Sequence, residues 1–252
     1  MARNSKKKTC AILIIGNEIL SGRTKDQNVS FLTSWLNTNS GIKIQEVRIV
    51  PDIEKEIIKS VLDLSKNFKY VFTTGGIGPT HDDITSKSIS KAFNKKYTYS
   101  PEALKILKKY YGNEFNDARK KMAKMPKGSK LVYNPSSAAP GFMVKNVICL
   151  PGVPLILKSM IHNIKKFIEP GSIIYSASVN CQTVESKIAS ELEKIQKKYK
   201  KSVEIGSYPF FRQGKIGVSV VIRTINKKSL QSCHKDIIKT IKNKKIKIVK
   251  GQ

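Results

Sequence analysis

Short apolar runs, each followed by a stretch with helical periodicity, constrain this chain most. Cys10–Ile15, Ile44–Val50, Tyr70–Thr73 and Val147–Leu150 are all too short to be buried helices, and all end at glycine, proline or threonine. After the first run, Val29, Leu32 and Leu36 recur on one helical face. After the second, Pro51-Asp52 opens a helix expected to bury Ile53, Ile57, Val61 and Leu62. After the fourth, Pro151-Gly152-Val153-Pro154 leads into Ile156, Met160, Ile164 and Phe167. Strands alternating with amphipathic helices predict βαβ units and an α/β fold with a mostly parallel sheet. Ser100-Pro101-Glu102 places a hydroxyl cap, a first-turn proline and an acid in order, and two helical stretches are expected from there to about Met125.

Glu169-Pro170-Gly171-Ser172 interrupts this pattern and reads as a boundary, giving domains at residues 1–170 and 171–252. Beyond it the expected order is strand (173–180), helix (183–199), strand (202–207), strand (215–224), helix (228–241) and strand (246–249). In the first of these helices Val184, Ile188, Leu192 and Ile195 form one stripe. The order βαββαβ is that of a small ferredoxin-like α+β domain.

The formal charge of +29 comes from 47 basic and 18 acidic residues, and only 6 of the basic residues are Arg. A basic surface can bind nucleic acid, but base and phosphate readers rely on bidentate Arg, which is scarce here. The lysines are spread along the chain, with no compact block beyond Lys6-Lys7-Lys8. A solvated lysine coat is therefore expected, with nucleic acid not a partner, although such a field draws in anionic ligands. Cys10, Cys149, Cys181 and Cys233 form no Cys-x-x-Cys pair, and most lie in or beside apolar runs, as reduced buried thiols do. The apolar run behind the basic N-terminus stops at Gly16-Asn17-Glu18, too short for a signal peptide or a membrane span. A cytoplasmic protein without a membrane partner is expected; a homo-oligomer is left open.

In open parallel sheets, ligands bind beyond the carboxyl ends of the strands. The loop from Thr73 to Thr85 has the chemistry of an anion site there. Gly75, Gly76 and Gly78 let backbone N–H groups approach phosphate oxygens, Thr74 and Thr80 add hydroxyls, and the next helix presents its N-terminus. The acids nearby have a plainer reading too: Asp83 and Asp52 each precede a helix they could cap, Asn28 could do the same, and Glu18 could lie on a turn. His81 has no second histidine near it, which argues against a histidine-built metal triad. With no Gly-x-Ser-x-Gly elbow and no Cys/His pair, the expected chemistry is metal-assisted attack by water.

The run Gly75-Gly76-Ile77-Gly78-Pro79-Thr80-His81-Asp82-Asp83-Ile84-Thr85 resembles the signature of the molybdopterin-binding MoaB/Mog family. So do Gly16 to Gly22 with Asp26-x-Asn28, Asn134 to Phe142, and Pro151-Gly152-Val153-Pro154. Phe115 to Ala123 and Ile205 to Phe211 are similar to segments of competence/damage-inducible protein A and of the matching domain of eukaryotic FAD synthase. The resemblance implies a three-layer α/β/α domain. It implies Asp83, Asp52 and Asp82 as catalytic acids, with Asp52 and Asp83 holding a divalent metal (Mg, Mn or Co). It also implies a phosphorylated small-molecule ligand held by Gly75, Gly76, Gly78, Thr74, Thr80, Glu18, Asn28, Ser137, Pro140, Gly141, Pro151 and Gly152. Ser136-Ser137-Ala138 departs from the glycine usual before Ala-Pro-Gly. The amide-hydrolysing and adenylyl-transferring domains of those relatives have no counterpart in these residues, and neither activity is expected to carry over. The expected function is metal-dependent hydrolysis of a nucleotide pyrophosphate such as FAD or ADP-ribose. The alternative is molybdopterin binding or adenylyl transfer in molybdenum-cofactor biosynthesis.

Overall fold

The computed structural model describes residues 9–212 and 214–249; Lys6-Lys7-Lys8 lies outside them. The chain divides into two compact units, Met1–Gly171 and Ser172–Gln252.

The first unit runs β1 (Thr9–Ile15), α1 (Asn17–Leu20), α2 (Asn28–Ser40), β2 (Lys43–Val50), α3 (Glu54–Asn67), β3 (Tyr70–Thr74), α4 (Thr85–Ala92), β4 (Tyr97–Tyr99) and α5 (Pro101–Tyr111). It continues with α6 (Asp117–Lys121), β5 (Lys124–Pro126), β6 (Lys130–Val132), β7 (Gly141–Val144), β8 (Val147–Leu150) and α7 (Pro154–Ile164). The main sheet has the order β2-β1-β3-β8-β7-β6. Its first four strands are parallel, and β7 and β6 are antiparallel additions.

The apolar runs are buried on both faces because helices cover both. Ala11, Leu13 and Ile15 point into a core shared with Ile57, Val61 and Leu64 of α3, Ile89 of α4 and Leu107 of α5. Cys10, Ile12 and Ile14 point the other way, onto Leu32, Trp35 and Leu36 of α2 and Leu157, Met160 and Ile164 of α7. The result is three layers, helix–sheet–helix, with each large aliphatic side chain contributing roughly 1.5–3 kcal/mol by burial.

The second unit runs β9 (Tyr175–Cys181), α8 (Ala189–Tyr199), β10 (Glu204–Arg212), β11 (Lys215–Thr224), α9 (Lys227–Asn243) and β12 (Ile248–Val249). Its antiparallel sheet has the order β10-β11-β9-β12, the ferredoxin-like arrangement.

Several details differ from the sequence reading. Ile53 sits outside α3 in extended conformation, so the helical period begins one residue later; Leu62 turns to solvent and Leu64 takes the core position. Phe167 falls in a 3-10 turn after α7. Val184 lies ahead of α8 and is exposed. The helical stretch expected to reach Met125 stops at Lys121, and Met125 belongs to β5, paired antiparallel with β4.

Candidate functional site

Adjacent strands β1 and β3 send their chains to opposite faces of the sheet. β1 leads to α2 on one side, and β3 leads to α4 on the other. A crevice opens where such connections diverge, which is where open α/β sheets bind ligands. The parallel strands end in register, with Ile14 beside Thr74, Ile15 beside Val50, and Thr74 beside Leu150. Because β7 is antiparallel to β8, the 133–140 loop that precedes Gly141 emerges at the same edge.

The Gly75–Gly78 loop follows β3 at this edge, and its glycines are required by contact. Gly75 has φ +103, and a Cβ on it would lie 2.0 Å from the Ile15 carbonyl oxygen; Gly76 has φ +66, and a Cβ would lie 2.2 Å from Thr85 Oγ1. A Cβ on Gly78 would lie 2.7 Å from Asp83 Oδ2. Gly75 N–H closes onto the Leu150 carbonyl at 3.1 Å and Thr85 N–H onto the Gly76 carbonyl at 2.9 Å. Among the described residues the N–H groups of Gly76, Ile77 and Gly78 donate to no protein acceptor.

Hydrogen bonds tie the neighbouring loops together. Asn28 Nδ2 donates to the Gly152 carbonyl at 2.7 Å, linking the start of α2 to the turn after β8. Asp26 accepts from the N–H groups of Asn28 and Val29, so the cap of α2 is Asp26, not Asn28. Asp52 does not cap α3; it accepts from Asn17 N–H at 2.9 Å and joins the loops after β1 and β2. Asp83 does not cap α4 either. Its Oδ2 accepts from Thr80 N–H at 2.8 Å and from Thr80 Oγ1 at 2.5 Å, closing the loop on itself.

The four acids share one neighbourhood. Burial, and then the negative charges of Glu18, Asp82 and Asp83, raise the Asp52 carboxyl above its ordinary range against the pull of the Asn17 N–H. The Thr80 hydroxyl, the loop backbone and the nearby charges of His81 and Lys121 hold Asp82 below its own. The divalent metal expected at Asp52 and Asp83 is not shown by this arrangement. Among the described residues no three His, Cys, Asp or Glu side chains converge on one point, and both aspartates already accept protein N–H groups. Oxygen donors suit a hard cation, and Asp52 and Asp83 each take these protein donors on one carboxylate oxygen, Oδ2.

Ser137 and its neighbours are held within their own loop: Asn134 Oδ1 accepts from Ser136 and Ser137 N–H, and Asn134 Nδ2 donates to Ser137 Oγ and the Ala139 carbonyl. Pro140 is buried beside it. Gly141 is needed for packing, because a Cβ would lie 2.3 Å from the Cys149 carbonyl oxygen. Pro151 and Gly152 follow β8, and Gly152 lies against Gly75. Two residues near Asp83 and Thr80 were not anticipated. Tyr97 of β4 has its phenol raised by burial and then by Tyr99 and Asp83, and Lys121 of α6 donates to the Thr80 carbonyl. Tyr97 lies in β4, to which the sequence reading assigned no element, and Lys121 ends α6, within the stretch read as helical.

A family described as "Probable molybdopterin binding domain" matches residues 11–170. The chain belongs to the molybdopterin-binding domain family. The family span covers every loop described above. Residues 173–250 match a second family, described as "FAD synthase, middle domain". A protein of Archaeoglobus fulgidus is 37% identical over 198 residues, spanning 79% of this chain and 84% of that one. One of Caldivirga maquilingensis is 33% identical over 207 residues, spanning 79% and 80%. The solved structure of the protein CinA from Thermoplasma acidophilum is 32% identical with a TM-score of 0.61, and the match spans 65% of this chain and 99% of that one. Among the described residues no helix is long and apolar enough to cross a membrane.

Proposed function

We propose that the first unit binds a phosphorylated pterin of the molybdopterin class, with the phosphate on the Gly75–Gly78 loop, and serves molybdenum-cofactor assembly. The observation that carries this reading is a set of orphaned polar atoms. Thr74 Oγ1, Thr85 Oγ1 and Asn28 Oδ1 are buried without a hydrogen-bond partner, and they flank a loop whose N–H groups are also unpaired. A buried hydroxyl or amide left unpaired costs about 1–3 kcal/mol, so native sites keep such atoms where something else pairs them. An anion with several acceptor oxygens at the N-terminus of α4 suits the loop N–H groups and the hydroxyls together. Family membership and the lysine-derived positive field support the same ligand class.

A second reading, hydrolysis of a nucleotide pyrophosphate such as FAD or ADP-ribose with a divalent metal, is favoured by one observation. Four carboxylates repel one another at Asp52, which a bound cation would relieve. Calorimetric titration with neopterin phosphate in EDTA tests the first reading, with Thr85→Val as the comparison. Valine keeps the shape and removes a hydroxyl that has no protein partner, so the melting temperature should hold. Affinity should fall by about tenfold or more, the loss expected for one hydrogen bond to a charged group. Equal affinity of Thr85→Val and wild type would overturn the phosphate site. Product formation from ADP-ribose or FAD only with Mg²⁺, Mn²⁺ or Co²⁺ would favour hydrolysis instead, and cleaved versus retained pterin adenylate separates hydrolysis from molybdopterin binding or adenylyl transfer.

A further inference from the structure

Three consecutive basic residues end α6: Arg119, Lys120 and Lys121. The first two are engaged in packing. The Arg119 guanidinium lies 4.2 Å from the centre of the Tyr111 ring and pairs with Glu114 at 3.0 Å; the Lys120 ammonium lies 5.2 Å from the Tyr99 ring. Lys121 does something different. It crosses to the β3–α4 loop, where its ammonium donates to the Thr80 carbonyl. Among the described residues no carboxylate pairs with it, so of its three protons two remain for another acceptor.

The position of Lys121 is fixed from both sides. Asn116 Oδ1 caps the start of α6 at 3.0 Å from Arg119 N, and the buried Ala123 and Met125 anchor the chain after it. Thr80, which Lys121 holds, is bonded to Asp83, and Asp83 packs on Gly78 of the phosphate loop. One ammonium is thereby set against a loop that also carries Asp82 and Asp83, whose charges would otherwise repel an incoming phosphate.

We propose that Lys121 contacts and neutralises the phosphate of the ligand bound on the Gly75–Gly78 loop; this rests on the site reading given above. The ammonium holds the loop through one proton and presents the others to phosphate oxygens. It supplies locally the positive charge that the acids of the loop would otherwise deny an anion. Discrimination between a phosphorylated ligand and its phosphate-free counterpart then depends on this one side chain more than on the diffuse lysine coat.

The test compares neopterin phosphate with neopterin on full-length wild type, Lys121→Ala, Lys121→Arg and Thr85→Val, at two salt concentrations in EDTA. Lys121→Ala should weaken neopterin phosphate about 10- to 100-fold, the range of a lost charge-assisted hydrogen bond. It should leave neopterin affinity within about twofold and flatten the salt dependence of phosphate binding, because an exposed charge acts through screened electrostatics. Lys121→Arg should recover most of the loss. Equal weakening of both ligands by Lys121→Ala would show a loop-holding role only and overturn the proposal. Wild-type affinity in Lys121→Ala, with affinity lost in Thr85→Val, would overturn it and leave the site standing. Wild-type affinity in both variants would overturn the site reading as well.

Discussion

Asp52 shows how the loops at the sheet edge trade stability for a site. Its carboxyl is partly removed from water and faces Glu18, Asp82 and Asp83, while the Asn17 N–H stabilises its charge. The net effect raises its folded pKa above the ordinary value. A raised acid pKa costs nothing below the unfolded value; the cost grows as pH rises through the folded value and is complete above it. Asp52→Asn keeps an acceptor for Asn17 N–H and removes the charge. It should therefore raise the melting temperature at neutral pH, by at most about 1 kcal/mol of stability because the group is largely solvated. The gain should vanish as pH falls toward the ordinary carboxylate range. Melting curves of both proteins from acid to neutral pH check this, and a gain that grows toward acid would contradict it. At this scale the sequence indicated which residues gather at the edge but not how they are used. Asp83 and Asp52 precede helices, and the motif alone cannot show that a turn (Asp83 onto Thr80) and a distant N–H (Asn17, 35 positions away) take their oxygens.

Among the elements, continuous apolar runs were legible as strands, short as they are, and the three-residue strands were not. β1 and β3 are buried on both faces and read as continuous apolar runs. β4, β5 and β6 have three residues each, with Lys96, Lys124 and Lys130 in or beside them, and their pairing depends on contacts distant in sequence. Lys121 escaped notice for the same reason, since only the turn from α6 into β5 carries it to Thr80. The start of α2 is a case where local capping and the site are one device. Asp26 accepts the N–H groups of Asn28 and Val29, which orients Asn28 toward the Gly152 carbonyl. Asp26→Ala should cost about 1 kcal/mol, as the loss of a helix cap does. It should also weaken neopterin phosphate binding by releasing Asn28, whereas Asp26→Asn should preserve most of both. Chemical denaturation and calorimetry on the two variants would decide. A stability loss with unchanged affinity would separate the cap from the site.

Across the whole molecule, excess positive charge is spread thinly. The 18 acids are far too few to pair the 47 basic residues, and the ion pairs that form are solvent-exposed contacts worth little individually. Several other lysines lie along aromatic faces, as Lys124 does over Tyr97, Lys165 over Trp35 and Lys166 over Tyr133, with the stems covering apolar surface and the heads in water. The core is not shared in this way. Both clusters of the three-layer unit lie between Cys10 and Ile168, while the third lies between Val179 and Ile246. Each sheet is closed within its own unit. A unit with two complete helix–sheet interfaces and an unshared core carries what a domain needs to fold alone. Every side chain assigned above to the phosphate loop and its neighbours, from Glu18 to Gly152, also belongs to it. The fragment 1–171 should therefore express as a folded protein with one cooperative melting transition. It should bind neopterin phosphate within about threefold of the full chain, a difference under about 0.7 kcal/mol. A fragment that folds but has lost binding would mean that residues after Gly171 complete the site. An insoluble fragment would mean that they complete the fold.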